Sequence, residues 1–391
     1  MDNKKGDGFA MSPLSWLLAA LPVAVTLNFL GVPGVWVFVA SCLAIIPLAG
    51  LMGRATEDLA DSLGPAIGGL LNATFGNAAE LIIALIALGA GKTELVKASI
   101  TGSIIGNVLL VLGAAVVAGG FRYQKQTFNR TAAGLGATLL FLASIGLIFP
   151  SVHYFFARAQ GINPLRSGEL EMLSEEIAVI LAVVYVLSLI FTLRTHQHLF
   201  AGPECDEPDS GKGWSKRTAF IVLLAATAGV AYMSELLVHS VEAAAHSLGM
   251  NDVFIGVIVV AVIGNAAEHS TAVMMAVKNK MDLAITIAIG SSIQVALFVA
   301  PVLVFASLAF PHTLDLHFSA MELIAVVIAT LVTVFIAQDG ETHWMGSERD
   351  RAGNSERGGN ERFREFWTEI SASERDFQGS SRSPIGLCRT R

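Results

Sequence analysis

The chain has 391 residues, 53% of them hydrophobic and 15% charged, with a mean hydropathy of +0.62 and a formal net charge of −7. A soluble protein carries about 25% charged residues, so lipid solvates most of this chain. Its length suits a polytopic helical bundle, and its unbroken apolar runs exclude a barrel, whose strands alternate polar and apolar. The acidic balance lies mostly in loops and offers no nucleic-acid surface; Cys42, Cys205 and Cys388 have neither disulfide nor metal spacing.

No small-residue cleavage site follows the first apolar run, which therefore reads as a retained helix. Apolar runs of about 20 residues, long enough to span a bilayer, fall near 11–31, 35–53, 63–90, 98–120, 131–150, 174–193, 217–238, 253–277, 283–309 and 320–337. They predict an all-α fold with about ten transmembrane helices. A more polar stretch with Arg158 and Arg166 lies between 151 and 173. The linker between 194 and 217 gathers Glu204, Asp206, Glu207 and Asp209 and is too polar to span.

Basic residues set the orientation. With the N-terminus in the cytoplasm, the inner loops hold twelve of them (Lys4, Lys5, Arg54, Arg122, Lys125, Arg130, Arg194, Lys212, Lys216, Arg217, Lys278 and Lys280). The outer loops hold four: Lys92, Lys97, Arg158 and Arg166.

Gly76-Asn77-Ala78-Ala79-Glu80 returns 188 positions later as Gly264-Asn265-Ala266-Ala267-Glu268. At the same offset Lys92 returns as Lys280, Gly102-Ser103 as Gly290-Ser291, and Ile105 as Ile293. So many matches at one offset mean an internal duplication. The first motif would run from inside to outside and the second from outside to inside, so the copies are inverted about the membrane plane, as in many secondary transporters. The expected organisation is a first helix in 1–34, a first repeat of five helices in 35–194, an acidic cytoplasmic linker in 195–216 and a second repeat of four helices in 217–337. The partner of 174–193 is missing. From 338 to 391 the chain carries nine arginines and no lysine; by composition that tail is disordered, and its abrupt onset has the character of a shifted reading frame.

A carboxylate at the bilayer centre costs about 2.5–3.5 kcal/mol on insertion scales, which makes Glu80 and Glu268 the prime functional candidates. Asn77 and Asn265 precede them by three residues and share their helical face. Gly76 and Gly264 loosen the helix so that carbonyls can turn inward. Carboxylates, amide oxygens and freed carbonyls suit a hard cation such as Ca2+, which takes about 6–8 oxygen ligands. Two glutamates this close titrate as a coupled pair, and the site holds either a divalent cation or protons. That is antiporter chemistry. Ser103, Asn107, Ser291, Ser292 and Gln294 follow in the next helix of each copy; the large amides are costly to bury unpaired, whereas Gly102 and Gly290 suit helix packing. Glu57 and Glu235 align as a weaker pair near helix ends, either solvated or lining a vestibule. His269 follows Glu268 and could serve proton transfer.

The segments NATFGNAAELI and VIGNAAEHSTAV strongly resemble the calcium/proton exchanger (CAX) family of the cation/Ca2+ exchanger superfamily, over about residues 11 to 341 and including the acidic segment. The resemblance implies a sodium/calcium exchanger-like fold and a transporter rather than an enzyme, with no cofactor. It implies Glu80 and Glu268 as the residues that coordinate Ca2+ and carry the exchanged protons, with Asn77 and Asn265 as the motif asparagines. Members export cytosolic Ca2+, and in some cases Mn2+ or other cations, across a vacuolar or bacterial membrane; a bacterial inner membrane is expected here. They usually carry one further apolar helix after the position of Gln338–Trp344. The residues leave open a cation channel and an inactive truncated exchanger.

Overall fold

A computed structural model describes residues 13–63, 65–162, 168–196, 199 and 213–343. The N-terminal lysines, Arg166, the acidic cluster of the linker and the arginine-rich tail lie outside the described residues.

A 3-10 turn, Pro13–Ala19, leads into α1 (Ala20–Phe29). Then come α2 (Gly34–Leu63), α3 (Pro65–Phe75), α4 (Ala78–Gly89) and α5 (Thr93–Arg122). They are followed by α6 (Arg130–Ala159), α7 (Glu169–Thr195) and α8 (Lys216–Leu248). The second motif region is α9 (Ile255–Gly264) and α10 (Ala266–Val277), and α11 (Met281–Ser307) and α12 (Ala320–Asp339) complete the order. Among the described residues seven helices are long and apolar enough to cross a membrane, and the bent pairs α3/α4 and α9/α10 raise the number to nine. Of the ten expected spans, the first is represented by the shorter apolar helix Trp16–Phe29. The stretch expected to turn polar after 150 instead continues α6 to Ala159.

Local sequence explains where the helices start and stop. Asn129 caps α6, Ser215 caps α8, and Ser319 with Glu322 forms a capping box on α12. Gly249 and Gly340 end α8 and α12 at positive φ. Large apolar side chains such as Phe29, Phe156, Leu187 and Phe335 remain exposed on the outer helix faces, where lipid replaces water.

The inversion is visible in packing. α2 and α8, the first helices of the two copies, run antiparallel: a Cβ on Gly34 would lie 2.7 Å from Ala243, and one on Gly229 would lie 3.1 Å from Leu48. Four spans separate the broken pairs, so α9/α10 traverses in the direction opposite to α3/α4. Small residues let α5 and α9 cross closely, with a Cβ on Gly102 only 2.5 Å from Val257 and one on Gly256 2.6 Å from Ala98.

Lys97 corrects the loop assignment made from sequence. It is only 5% exposed within α5, where it pairs with Asp315 at 2.6 Å and Glu94 at 3.2 Å. Thr101, one turn on, donates to Glu322 of α12 at 2.8 Å. The α11–α12 connection folds over the end of α5, and its aspartate makes that burial tolerable. At the opposite end a two-stranded antiparallel ladder pairs β1 (Gln126–Thr127) with β2 (Glu341–Thr342), beside the Lys125–Glu341 ion pair.

Candidate functional site

The two motif helices break where the sequence repeats. α3/α4 bends by 43° and α9/α10 by 66°, with Gly76-Asn77 and Asn265 at the breaks. The following helices, α5 and α11, carry π-helical turns at Gly106–Val111 and Val295–Val299. These turns match at the repeat offset, and such turns often mark functional sites.

Side chains from all four regions meet in one buried network. Ser103 and Asn265 both donate to Glu80 Oε1, and Asn265 also reaches Ser103 Oγ at 3.2 Å and the Ala261 carbonyl at 3.0 Å. The Ser291 hydroxyl lies 3.3 Å from Asn77 Oδ1 and 3.4 Å from Asn265 Oδ1, tying the two motif asparagines together. Asn107 Nδ2 donates to Ser291 at 2.9 Å, and the Asn107 carbonyl oxygen lies 3.0 Å from His269 Nε2. Asn77 Nδ2 donates to Gln294 Oε1. A Cβ on Gly264 would sit 2.9 Å from Glu80 Cγ, so the glycine makes room for the carboxylate arm.

Two atoms stand out: Glu80 Oε2 and Glu268 Oε2 are buried without a hydrogen-bond partner. The two glutamates stand at equivalent positions, each in the first turn after its break. Buried polar atoms are normally satisfied, so paired orphan carboxylate oxygens mark a place for a cation or protons. The network's amide, hydroxyl and carboxylate oxygens are the ligand type that a hard divalent cation takes.

A cavity of about 710 Å3 reaches this network from one face. Glu268, Ser291 and Gln294 line its floor, and Arg54, Glu57 and Trp214 lie at its mouth. Glu80 does not line it and is 5% exposed. At the mouth Arg54 stacks 4.6 Å over the Trp214 ring, and Asp58 accepts the Trp214 backbone N–H at 3.1 Å.

Of the residues singled out by sequence, Gly76, Asn77, Glu80, Ser103, Asn107, Gly264, Asn265, Glu268, His269, Ser291 and Gln294 are gathered here. Ser292 is not: its hydroxyl turns back to the Ala288 carbonyl at 3.0 Å, because helix geometry points it away from its neighbour Ser291. Glu57 and Glu235 do not act as a pair, since Glu57 lines the cavity while Glu235 is exposed on α8 outside it. Gly290 has nothing within 4 Å of a Cβ position and lines the cavity, so it is not a packing glycine. Tyr185 was not anticipated. Its hydroxyl donates to the Ala73 carbonyl at 2.9 Å, just before the first break.

The family described as sodium/calcium exchanger protein matches residues 33–194 and 218–348. The Ca2+/H+ antiporter of Synechocystis sp. is 44% identical over 344 residues, covering 84% of this chain and 91% of that protein. The Ca2+/H+ antiporter ChaA of Bacillus subtilis is 45% identical over 329 residues, covering 83% and 92%. The solved structure of native YfkE superposes with a TM-score of 0.72 at 42% identity, over 85% of this chain and 94% of that one. Two matched halves, each carrying one broken motif helix and one of the paired carboxylates, place this chain in the sodium/calcium exchanger protein family.

Proposed function

We infer that the chain is a Ca2+/H+ antiporter that exports cytosolic Ca2+ across a plasma membrane of bacterial type. The observation that carries this reading is the pair of orphan oxygens, Glu80 Oε2 and Glu268 Oε2, at the meeting point of the two halves. Similarity to Ca2+/H+ antiporters over most of the chain supports it. Two carboxylates out of water can both stay ionised only beside a cation; without one they take protons. Ca2+ and H+ therefore compete for the same atoms, and apparent Ca2+ affinity falls as pH falls.

The basic-residue distribution puts Arg54, and with it the cavity mouth, on the cytoplasmic side. Ca2+ enters from there, meets Glu268 first and displaces protons from the pair. Asn77, Asn265, Ser103 and Ser291 orient the carboxylates and supply neutral oxygens. The loaded site then reopens on the far side, releases Ca2+ and returns protonated.

Everted vesicles containing the chain should accumulate Ca2+ when an interior-acid proton gradient is imposed, and should lose uptake when the gradient is collapsed. Glu80→Gln and Glu268→Gln should each abolish proton-driven uptake with no loss of folded protein. Normal exchange by either variant would sink the assignment, and Ca2+ current without proton coupling would favour a channel.

A further inference from the structure

We propose that Tyr185 is a positioning residue of the first half-site: its hydroxyl occupies the carbonyl freed by the break at Gly76-Asn77 and thereby commits the Asn77 side chain to the cation site. The proposal rests on the Ca2+ reading above. The argument is a difference between two equivalent breaks. In the second half, the backbone N–H of Asn265 still reaches the Ala261 carbonyl at 3.3 Å, and the Asn265 side-chain amide donates to that same carbonyl at 3.0 Å. Asn265 caps its own break.

In the first half the equivalent carbonyl belongs to Ala73. The helix ends at Phe75, and Gly76 N–H makes the last backbone bond, to Asn72 O at 2.8 Å. Ala73 is buried, so its carbonyl needs a donor. Tyr185 supplies it from α7 at 2.9 Å. The Asn77 amide is then released to Gln294 Oε1, which leaves Asn77 Oδ1 turned toward Ser291. The Tyr185 ring, itself buried, stacks on Phe298 with centroids 5.2 Å apart. Phe298 lies one turn beyond Gln294 in α11, so a single side chain ties the broken end of α3 to the helix face that receives Asn77.

Without the hydroxyl, Asn77 is expected to turn back onto Ala73 O, as Asn265 does onto Ala261 O, and to withdraw from the site. The test is equilibrium Ca2+ binding and vesicle uptake by Tyr185→Phe, which keeps the ring stack. Half-saturating Ca2+ should rise about three- to tenfold, the equivalent of one hydrogen bond, with maximal rate within about twofold and thermal stability nearly unchanged. In a Gln294→Ala background, where Asn77 has already lost its partner, Tyr185→Phe should add little. Unchanged half-saturation, effects that multiply across the two variants, or a Tyr185→Phe protein that loses rate or fold instead of affinity would each overturn the proposal. Failure of the wild-type chain to bind Ca2+ would instead remove the functional reading on which it stands.

Discussion

Gly264→Ala isolates the carboxylate geometry from the fold. The new methyl would lie 2.9 Å from Glu80 Cγ, with the Glu80 backbone at 3.8 Å and Ile83 Cδ1 also at 3.8 Å. Carbon atoms pack best at about 3.5–4.0 Å, so the Glu80 arm must retreat by roughly 0.6–1 Å. Its Oε1 is held by Ser103 and Asn265, and that retreat strains both bonds. Overpacking costs about 1–3 kcal/mol, and weakening bonds to a charged acceptor costs a similar amount. A net loss of about 2 kcal/mol in Ca2+ binding is roughly thirtyfold in affinity. Gly264 has no positive φ, and alanine gains up to about 1 kcal/mol of helix propensity, so global stability should change little. The assay is Ca2+ titration and thermal melting of purified protein, beside Gly113→Ala, where nothing lies within 4 Å of the added methyl. Affinity within about threefold of wild type, or equal losses in both glycine variants, would refute the reasoning.

The buried Lys97 gives a stability prediction. Asp315→Asn leaves Lys97 with the exposed Glu94 as its remaining acidic partner, and breaking such a pair costs about 3–5 kcal/mol. Asp315→Asn should lower the melting temperature in detergent by several degrees, and adding Lys97→Met should recover most of it; no recovery would mean that the charge pair is not the cause. The Lys125–Glu341 pair gives a pH prediction. The Lys125 ammonium beside it holds the Glu341 carboxyl below the usual carboxylate range. Its contribution is therefore present above the unfolded value of about 4.3 and lost as pH falls through the folded value. Glu341→Gln should shift melting slightly at pH 7 and not at all at low pH, and a shift that persists in acid would count against the pair. Both groups are well exposed, so the effect is small and shrinks in salt.

Much of the architecture was legible because lipid solvation demands long apolar runs and because the chain writes its broken helix twice. Glu80, Glu268 and their asparagines stood out for the same reason: polar residues are conspicuous in apolar sequence. What the sequence hid was pairing across distance. Lys97 looked like a loop cation because the aspartate that neutralises it is 218 positions away, in a connection with no motif. Tyr185 carried no signal, since a hydroxyl bonded to a backbone carbonyl leaves no pattern in the sequence. Ser292 and Gly290 were misread because adjacent helical residues point about 100° apart, and an apolar run does not reveal which face meets the site. The alignment of Glu57 with Glu235 was sound as sequence but carried no information about which face stands open.

That last asymmetry bears on how exchange is kept obligatory. An inverted repeat with identical halves would hold its two faces equivalent, yet these halves have diverged where it matters. Ser270 and Thr271 line the cavity, whereas their counterparts at the repeat offset are Ile82 and Ile83, of which Ile83 is 2% exposed in the core. The far face is also held by Lys92 with Glu242 and by Lys97 with Asp315, and Phe310 packs over Gly89. Burying an isoleucine is worth about 1.5–3 kcal/mol, so opening that face while hydrating α4 is uphill, and a ligand can shift the balance only by its differential affinity for the two states. On the proposed assignment of the site to Glu80 and Glu268, an empty, ionised pair is best solvated with Glu268 facing the cavity, which holds the protein open there. On that same assignment, Ca2+ or protons neutralise the pair and remove the penalty for enclosing it. Only the loaded or the protonated site can then afford to leave the cavity side, and an empty carrier, which would dissipate the gradient, is held back by the cost of enclosing two charges.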